Sequence, residues 1–174
     1  MKLIVGLGNP GKQFERTRHN VGWMILDVLA GKETWRESKA AQANYVKMEI
    51  DEKRVELLKP NAFMNNSGVA VAYAVKKHGL NLNNLVVIHD DKDIPLGEFR
   101  VQIDRGAAGH NGVSSIIEHL GTKNFLRIRV GVAPIERPIG DTADFVLGKF
   151  TKDEQKILHG VIERAVEEVK KIIV

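Results

Sequence analysis

The strongest constraint on the fold is an alternation. Short apolar runs at residues 2–5 (KLIV), 85–90 (LVVIHD) and 127–132 (RIRVGV) are separated by segments whose apolar residues recur at helical spacing. A brief apolar run bounded by glycine or polar residues suits a strand buried on both faces. Residues 21–31 (VGWMILDVLAG) suit a helix, with Val21, Met24, Ile25, Val28 and Leu29 in register and Gly31 as a stop. Residues 67–79 (SGVAVAYAVKKHG) suit a second, capped by Ser67 and stopped by Gly79. A third is expected over 110–120. The last opens on a T-x-x-E capping box, Thr151 with Glu154. It sets Ile157, Val161, Ile162, Ala165, Val169 and Ile172 on one side.

Residues 44–59 read as two strands, NYVKMEI and RVELLK, that turn at Asp51 and Glu52 and end at Pro60. Residues 98–103 (EFRVQI) alternate and suit a more exposed strand. The interleaving predicts an α/β fold of three layers, with a central mixed, mostly parallel β-sheet flanked by helices. Neither a repeat nor a linker-like stretch divides residues 1–174, so one domain is expected. No segment approaches the ~20 apolar residues of a membrane helix. The opening run breaks at Gly6, too early for a secretory leader, so a cytoplasmic location is expected.

Composition narrows the chemistry. The chain has no cysteine, which excludes disulfides, a thiol nucleophile, thiolate zinc sites and iron–sulfur clusters. Its formal net charge of +4 is compatible with an anionic partner and insufficient to identify one. No G-x-S-x-G serine elbow is present.

Five loops carry residues that chemistry can use. GLGNPG (6–11) matches the dinucleotide pattern G-x-G-x-x-G directly after a strand. Such a loop should open a helix at once, yet the convincing helix begins only near Val21, and the later acidic position falls in a polar stretch. A glycine turn is the simpler reading, and it leaves Asn9 unexplained. In RTRHNVG (16–22), His19 stands just before the helix and can serve as a base, or be a surface histidine at a helix start. HDDKDIPLG (89–97) ends a buried strand with Asp90, Asp91 and Asp93, where a carboxylate can orient a histidine, bind Mg²⁺ or cap a turn. Spacing does not choose among the three. KPNAFMNNSG (59–68) offers Phe63 as apolar wall and Asn65 or Asn66 as amide donors. GAAGHNG (106–112) places Asn111 at a helix start, with His110 read as a bystander rather than a second base.

Arg100, Arg105, Arg127 and Arg129 fall on or beside two strands and would form a basic stripe if those strands were neighbours. With only six Phe, two Tyr and two Trp, no aromatic ladder for base stacking is present, so contact with RNA would be mainly electrostatic. Three asparagine-bearing loops, one histidine and one carboxylate suit base-assisted attack of water on a carbonyl. A non-catalytic RNA-binding module and a nucleotide-dependent oxidoreductase remain as alternatives.

Read in order, GLGNPG, TRHNVG, KPNAFMNNSG, HDDKDIPLG, GHNGVSSI and RIRVGV, with FVLGKF (145–150) as the last block, resemble bacterial-type peptidyl-tRNA hydrolase. The resemblance implies hydrolysis of the ester joining a peptide to the tRNA 3′ end, which frees the tRNA for translation. It implies a cytoplasmic monomer that needs no metal or other cofactor. By position, His19 matches the family's general base and Asp90 the carboxylate that supports it. Asn9 matches the amide that separates blocked from free α-amino groups. Asn65 and Asn111 match amides that hold substrate and the water or oxyanion, and Phe63 matches a wall of the cleft. Phe14 stands where the family usually has Tyr, so it can line the cleft without donating a hydrogen bond. The family is often richer in lysine near Gln102, leaving Arg100 and Arg105 to supply that charge, and residues 132–143 differ from its usual glycine-rich segment.

Overall fold

The computed structural model describes residues 1–134 and 138–174; positions 135–137, within the divergent 132–143 segment, lie outside the described residues. Its strands are β1 (Lys2–Gly6), β2 (Arg36–Ser38), β3 (Ala43–Ile50), β4 (Lys53–Pro60), β5 (Leu85–Pro95), β6 (Phe99–Gln102) and β7 (Leu126–Ala133). They form one seven-stranded sheet in the order β2-β3-β4-β1-β5-β7-β6. The four central strands run parallel, β1 between β4 and β5, and β7 beside β5. Antiparallel pairs extend both edges. The helices are α1 (Val21–Ala30), α2 (Ser67–His78), α3 (Asn111–Leu120), α4 (Thr142–Val146) and α5 (Lys152–Ile173).

The period-2 alternation of the buried strands divides the core into two layers. Ile4, Leu57, Ile88 and Ile128 face α1 and α5, meeting Ile25, Leu26, Val161 and Ala165. Leu3, Val5, Leu58 and Val87 face the other way, onto Val71 and Ala74 of α2 and Val113 and Ile116 of α3. Full burial of each such aliphatic side chain is worth about 1.5–3 kcal/mol. Among the described residues no helix is long and apolar enough to cross a membrane.

Two glycines bring α1 against the sheet. A Cβ on Gly6 would lie 2.5 Å from the Gly22 carbonyl oxygen, and one on Gly22 would lie 2.5 Å from that of Ile88. The sequence GLG therefore serves close helix–strand approach. Two 3₁₀ turns, Lys12–Phe14 and Arg18–Asn20, come between β1 and α1, so no helix opens directly from the glycine loop as a dinucleotide site requires.

Several local expectations change. β5 continues five residues beyond Asp90, past a register shift between Asp91 and Pro95. Ser67 is the first residue of α2 rather than its cap, and its hydroxyl donates to the Met64 carbonyl. The capping box of α5 forms as read, but Ile157 is 40% exposed and the buried stripe runs through Leu158, Val161, Ala165 and Val169. Polar β2 carries no apolar signal and pairs through its backbone with β3.

Gly22→Ala should cost about 1–3 kcal/mol or more, because the strand carbonyl cannot retreat. Gly160→Ala, in α5 where an added Cβ meets nothing within 4 Å, should gain about 0.5–1 kcal/mol. Urea midpoints of the two variants should therefore move in opposite directions.

Candidate functional site

The parallel strands all deliver their C-terminal ends to one edge of the sheet, the edge at which open α/β sheets bind ligands. Asn9 follows β1, Asn65 follows β4, and Asp90 pairs with Val130 of β7 one residue before the register shift in β5. The turns that start α1 and α3 bring His19 and His110 to the same edge.

Asp90 is buried and one of its oxygens, Oδ1, binds both imidazoles: His19 Nδ1 at 2.8 Å and His110 Nε2 at 2.8 Å. Burial pushes the Asp90 carboxyl up. The charges and hydrogen bonds of His110 and His19 outweigh it and hold the group far below the usual carboxylate range. An ionised carboxylate only accepts, so both ring nitrogens donate. His110 Nδ1 accepts from the Val113 N–H at 3.3 Å, which caps α3 and agrees with a proton on Nε2. His19 with its proton on Nδ1 presents the Nε2 lone pair, the arrangement of a general base held by a carboxylate. The ligand atoms of His19, Asp90 and His110 lie within 4.8 Å of one another, near enough to share a cation. The two N–H···O bonds account for that closeness by themselves.

His110 is thus no bystander. Its ring is tilted against His19 at a centroid separation of 4.8 Å, with the His89 ring edge-on to its other side, also at 4.8 Å. His89 is buried and its Nδ1 donates to the Asp90 carbonyl at 2.7 Å. Burial, reinforced by the charge of His110, holds its pKa well below the ordinary imidazole value.

Asn9 is held on three sides. Its Oδ1 accepts from the Met64 N–H at 2.8 Å, so its Nδ2 is the group left to point outward. Its own N–H and C=O bind the Asn20 carboxamide at 2.9 and 3.0 Å. Asn65 follows Met64 in a 3₁₀ turn and is exposed. Phe14 meets Phe63 edge-to-face at 6.4 Å, and Phe63 is 58% exposed, an apolar surface open to a partner. A separate cavity of about 240 Å³ is lined by His19, Asp90, His110, Asn111 and, from α4, Thr142 and Val146. The residues singled out from sequence therefore fall into two groups. His19, Asp90 and Asn111 share the cavity; Asn9, Phe14, Phe63 and Asn65 are not among its lining. Asn20, which sequence reading passed over, joins them.

The basic stripe shrinks. Arg127 is 1% exposed and spends its guanidinium on the carbonyls of Arg105 and Gly106, in the loop leading to His110. Burial, then the neighbouring charges of Arg129 and Arg105, bring its pKa down to about 10. Arg129 is 4% exposed and binds Asp91 at 2.7 Å and the Gln102 side chain. Arg100 and Arg105 remain exposed. Arg18 is also buried. It binds Glu154 at 2.8 Å and the Phe145 carbonyl at 3.2 Å, 4.3 Å from the Phe145 ring centroid, which ties the turn before His19 to α4 and α5.

The family model described as peptidyl-tRNA hydrolase matches residues 3–174. Among curated relatives, the peptidyl-tRNA hydrolase of Aquifex aeolicus is 41% identical over 170 residues, 95% of this chain and 86% of that one. That of Oceanobacillus iheyensis is 39% identical over 173 residues, 98% of this chain and 91% of that one. The crystal structure of the Acinetobacter baumannii peptidyl-tRNA hydrolase is similar with a TM-score of 0.92, at 32% identity, covering 99% of this chain and 88% of that one.

His89 makes stability depend on pH. Below about pH 6.5 the unfolded chain takes up a proton at this position that the folded chain refuses, so stability falls with acidification. His89→Asn keeps a donor for the Asp90 carbonyl and removes the titration. As the pH falls from neutral to about 5 the wild type should lose more stability than this variant, with a slope that steepens below about pH 6.5 toward a limit of about 1.4 kcal/mol per pH unit, read from urea unfolding.

Proposed function

The chain belongs to the bacterial peptidyl-tRNA hydrolase family, whose members hydrolyse the ester of peptidyl-tRNA, and from that premise we propose the role of each site residue. One sheet that includes all seven strands supports reading the chain as a single domain built around one site.

The observation that carries the mechanism is the Asp90 carboxylate, which accepts from His19 Nδ1. Water attacks the carbonyl carbon of the ester while His19 Nε2 takes its proton. Asp90 stabilises the imidazolium that results. The carbonyl oxygen becomes an oxyanion and needs a donor already in place, a role for the Asn65 or Asn111 amide. As the tetrahedral intermediate collapses, the C–O bond to the ribose breaks. The imidazolium returns its proton to the leaving ribose oxygen, giving a free 3′ hydroxyl and a carboxylic acid that ionises.

Selection for a blocked α-amine follows from Asn9. Its Oδ1 is committed to Met64, so substrate meets the Nδ2 donor. A peptide carbonyl accepts from it. A free α-ammonium is itself only a donor and leaves the amide poorly paired. Phe14 and Phe63 give the peptide apolar surface. Of the four arginines of the expected stripe, Arg100 and Arg105 are the exposed ones left to meet tRNA phosphates, since Arg127 and Arg129 serve the fold.

Release of N-acetyl-amino acid from N-acetyl-aminoacyl-tRNA tests this account. His19→Ala should lower kcat by about 10²–10⁴-fold. Asp90→Asn should act in the same direction, because an amide can hold His19 in the tautomer that lacks a lone pair on Nε2. EDTA should leave the wild-type rate unchanged. Wild-type rates in His19→Ala would remove it as the base.

A further inference from the structure

Asn20 is fully buried and directly follows His19. Its carboxamide does for Asn9 what a neighbouring strand would do: Oδ1 accepts the Asn9 N–H at 2.9 Å, and Nδ2 donates to the Asn9 carbonyl at 3.0 Å. The pairing admits one orientation only. Turning the amide over would set donor against donor and acceptor against acceptor. Asn9 stands in a turn after β1, outside the sheet's ladder, so this side chain satisfies both of its main-chain polar groups. The Met64 N–H then fixes which end of the Asn9 side chain faces outward.

We propose that Asn20 is a positioning residue for substrate discrimination: it sets the place of the Asn9 Nδ2 donor relative to His19, and so determines how well the enzyme separates N-blocked from free aminoacyl-tRNA. The inference rests on the reading of Asn9 given above. One dipeptide carries both functions, His19 reaching Asp90 on β5 and Asn20 reaching the turn after β1. The base and the donor are therefore held in a single frame. A displacement of about 1 Å in such a frame is enough to change selectivity.

The experiment compares kcat/KM for N-acetyl-aminoacyl-tRNA with that for the free aminoacyl-tRNA in wild type, Asn9→Ala, Asn20→Asp, Asn20→Ser and the double variant Asn9→Ala/Asn20→Asp. Asn20→Asp keeps size and one acceptor but places a second acceptor against the Asn9 carbonyl. Asn20→Ser shortens the reach. Thermal unfolding identifies the folded variants, and hydrogen exchange of the Asn9 amide in wild type needs no variant. The blocked-to-free ratio should fall about tenfold in either Asn20 variant, and the double variant should be no less selective than Asn9→Ala alone. The wild-type Asn9 amide should exchange slowly. A change in stability alone moves both substrates together and leaves the ratio intact. An intact ratio in the Asn20 variants beside a collapsed one in Asn9→Ala overturns the inference alone, as does exchange of the Asn9 amide at the rate of an open loop. An intact ratio in Asn9→Ala overturns the reading of Asn9 and the inference with it.

Discussion

Burying a carboxylate costs several kcal/mol unless its charge is met by well-placed donors. Asp90 meets that condition with two imidazole N–H groups on one oxygen. Each donor comes from a turn that begins a helix, and the two helices lie on opposite faces of the sheet. The bond pair can form only if β5 holds Asp90 in register beside β7, if α1 approaches the strands closely enough to require glycine at 6 and 22, and if the loop before α3 is held. Arg127 supplies the last by binding the carbonyls of Arg105 and Gly106. The packing of the core and the protonation of the site are in this sense one arrangement.

Residues 18 to 20 show how densely that arrangement is anchored. Arg18 binds Glu154 of α5 and the Phe145 carbonyl of α4; His19 binds Asp90 of β5; Asn20 binds the turn after β1. Three consecutive buried side chains thus reach different parts of the molecule. Arg18 further links the turn that carries His19 to α4, whose Thr142 and Val146 line the cavity beside His19. The main chain adds to this link: the Arg18 N–H donates to the Gly148 carbonyl at 3.0 Å, and Thr17 bridges to Lys149 just beyond α4.

The layer order and the parallel core were legible because buried strands and amphipathic helices differ in apolar periodicity. β2 was not, since an edge strand paired only through its backbone needs no apolar residues. Ile157 was misplaced because it sits at the margin of the α5 stripe, where one position separates buried from exposed. Arg127 and Arg129 read as surface charge because periodicity does not report that an arginine is turned inward to carbonyls or to Asp91. At the site, His19 and the three asparagines stand out as motif residues, Asp90 is separated from Asp91 and Asp93 only by the family resemblance, and His110 declares itself only through Asp90. Asn20 was invisible for a similar reason: its partner is a main-chain turn eleven residues away, and side-chain-to-backbone pairing leaves no pattern in a sequence.

The central claim is that one carboxylate holds two histidines in opposite tautomers, leaving His19 Nε2 as the base. Long-range ¹⁵N–¹H correlation of the histidine side chains, at a pH well above the ordinary imidazole range, tests it directly. His19 should appear protonated on Nδ1 and His110 on Nε2. A His19 protonated on Nε2 under those conditions would contradict the account, because the nitrogen meant to accept the proton of water would already carry one.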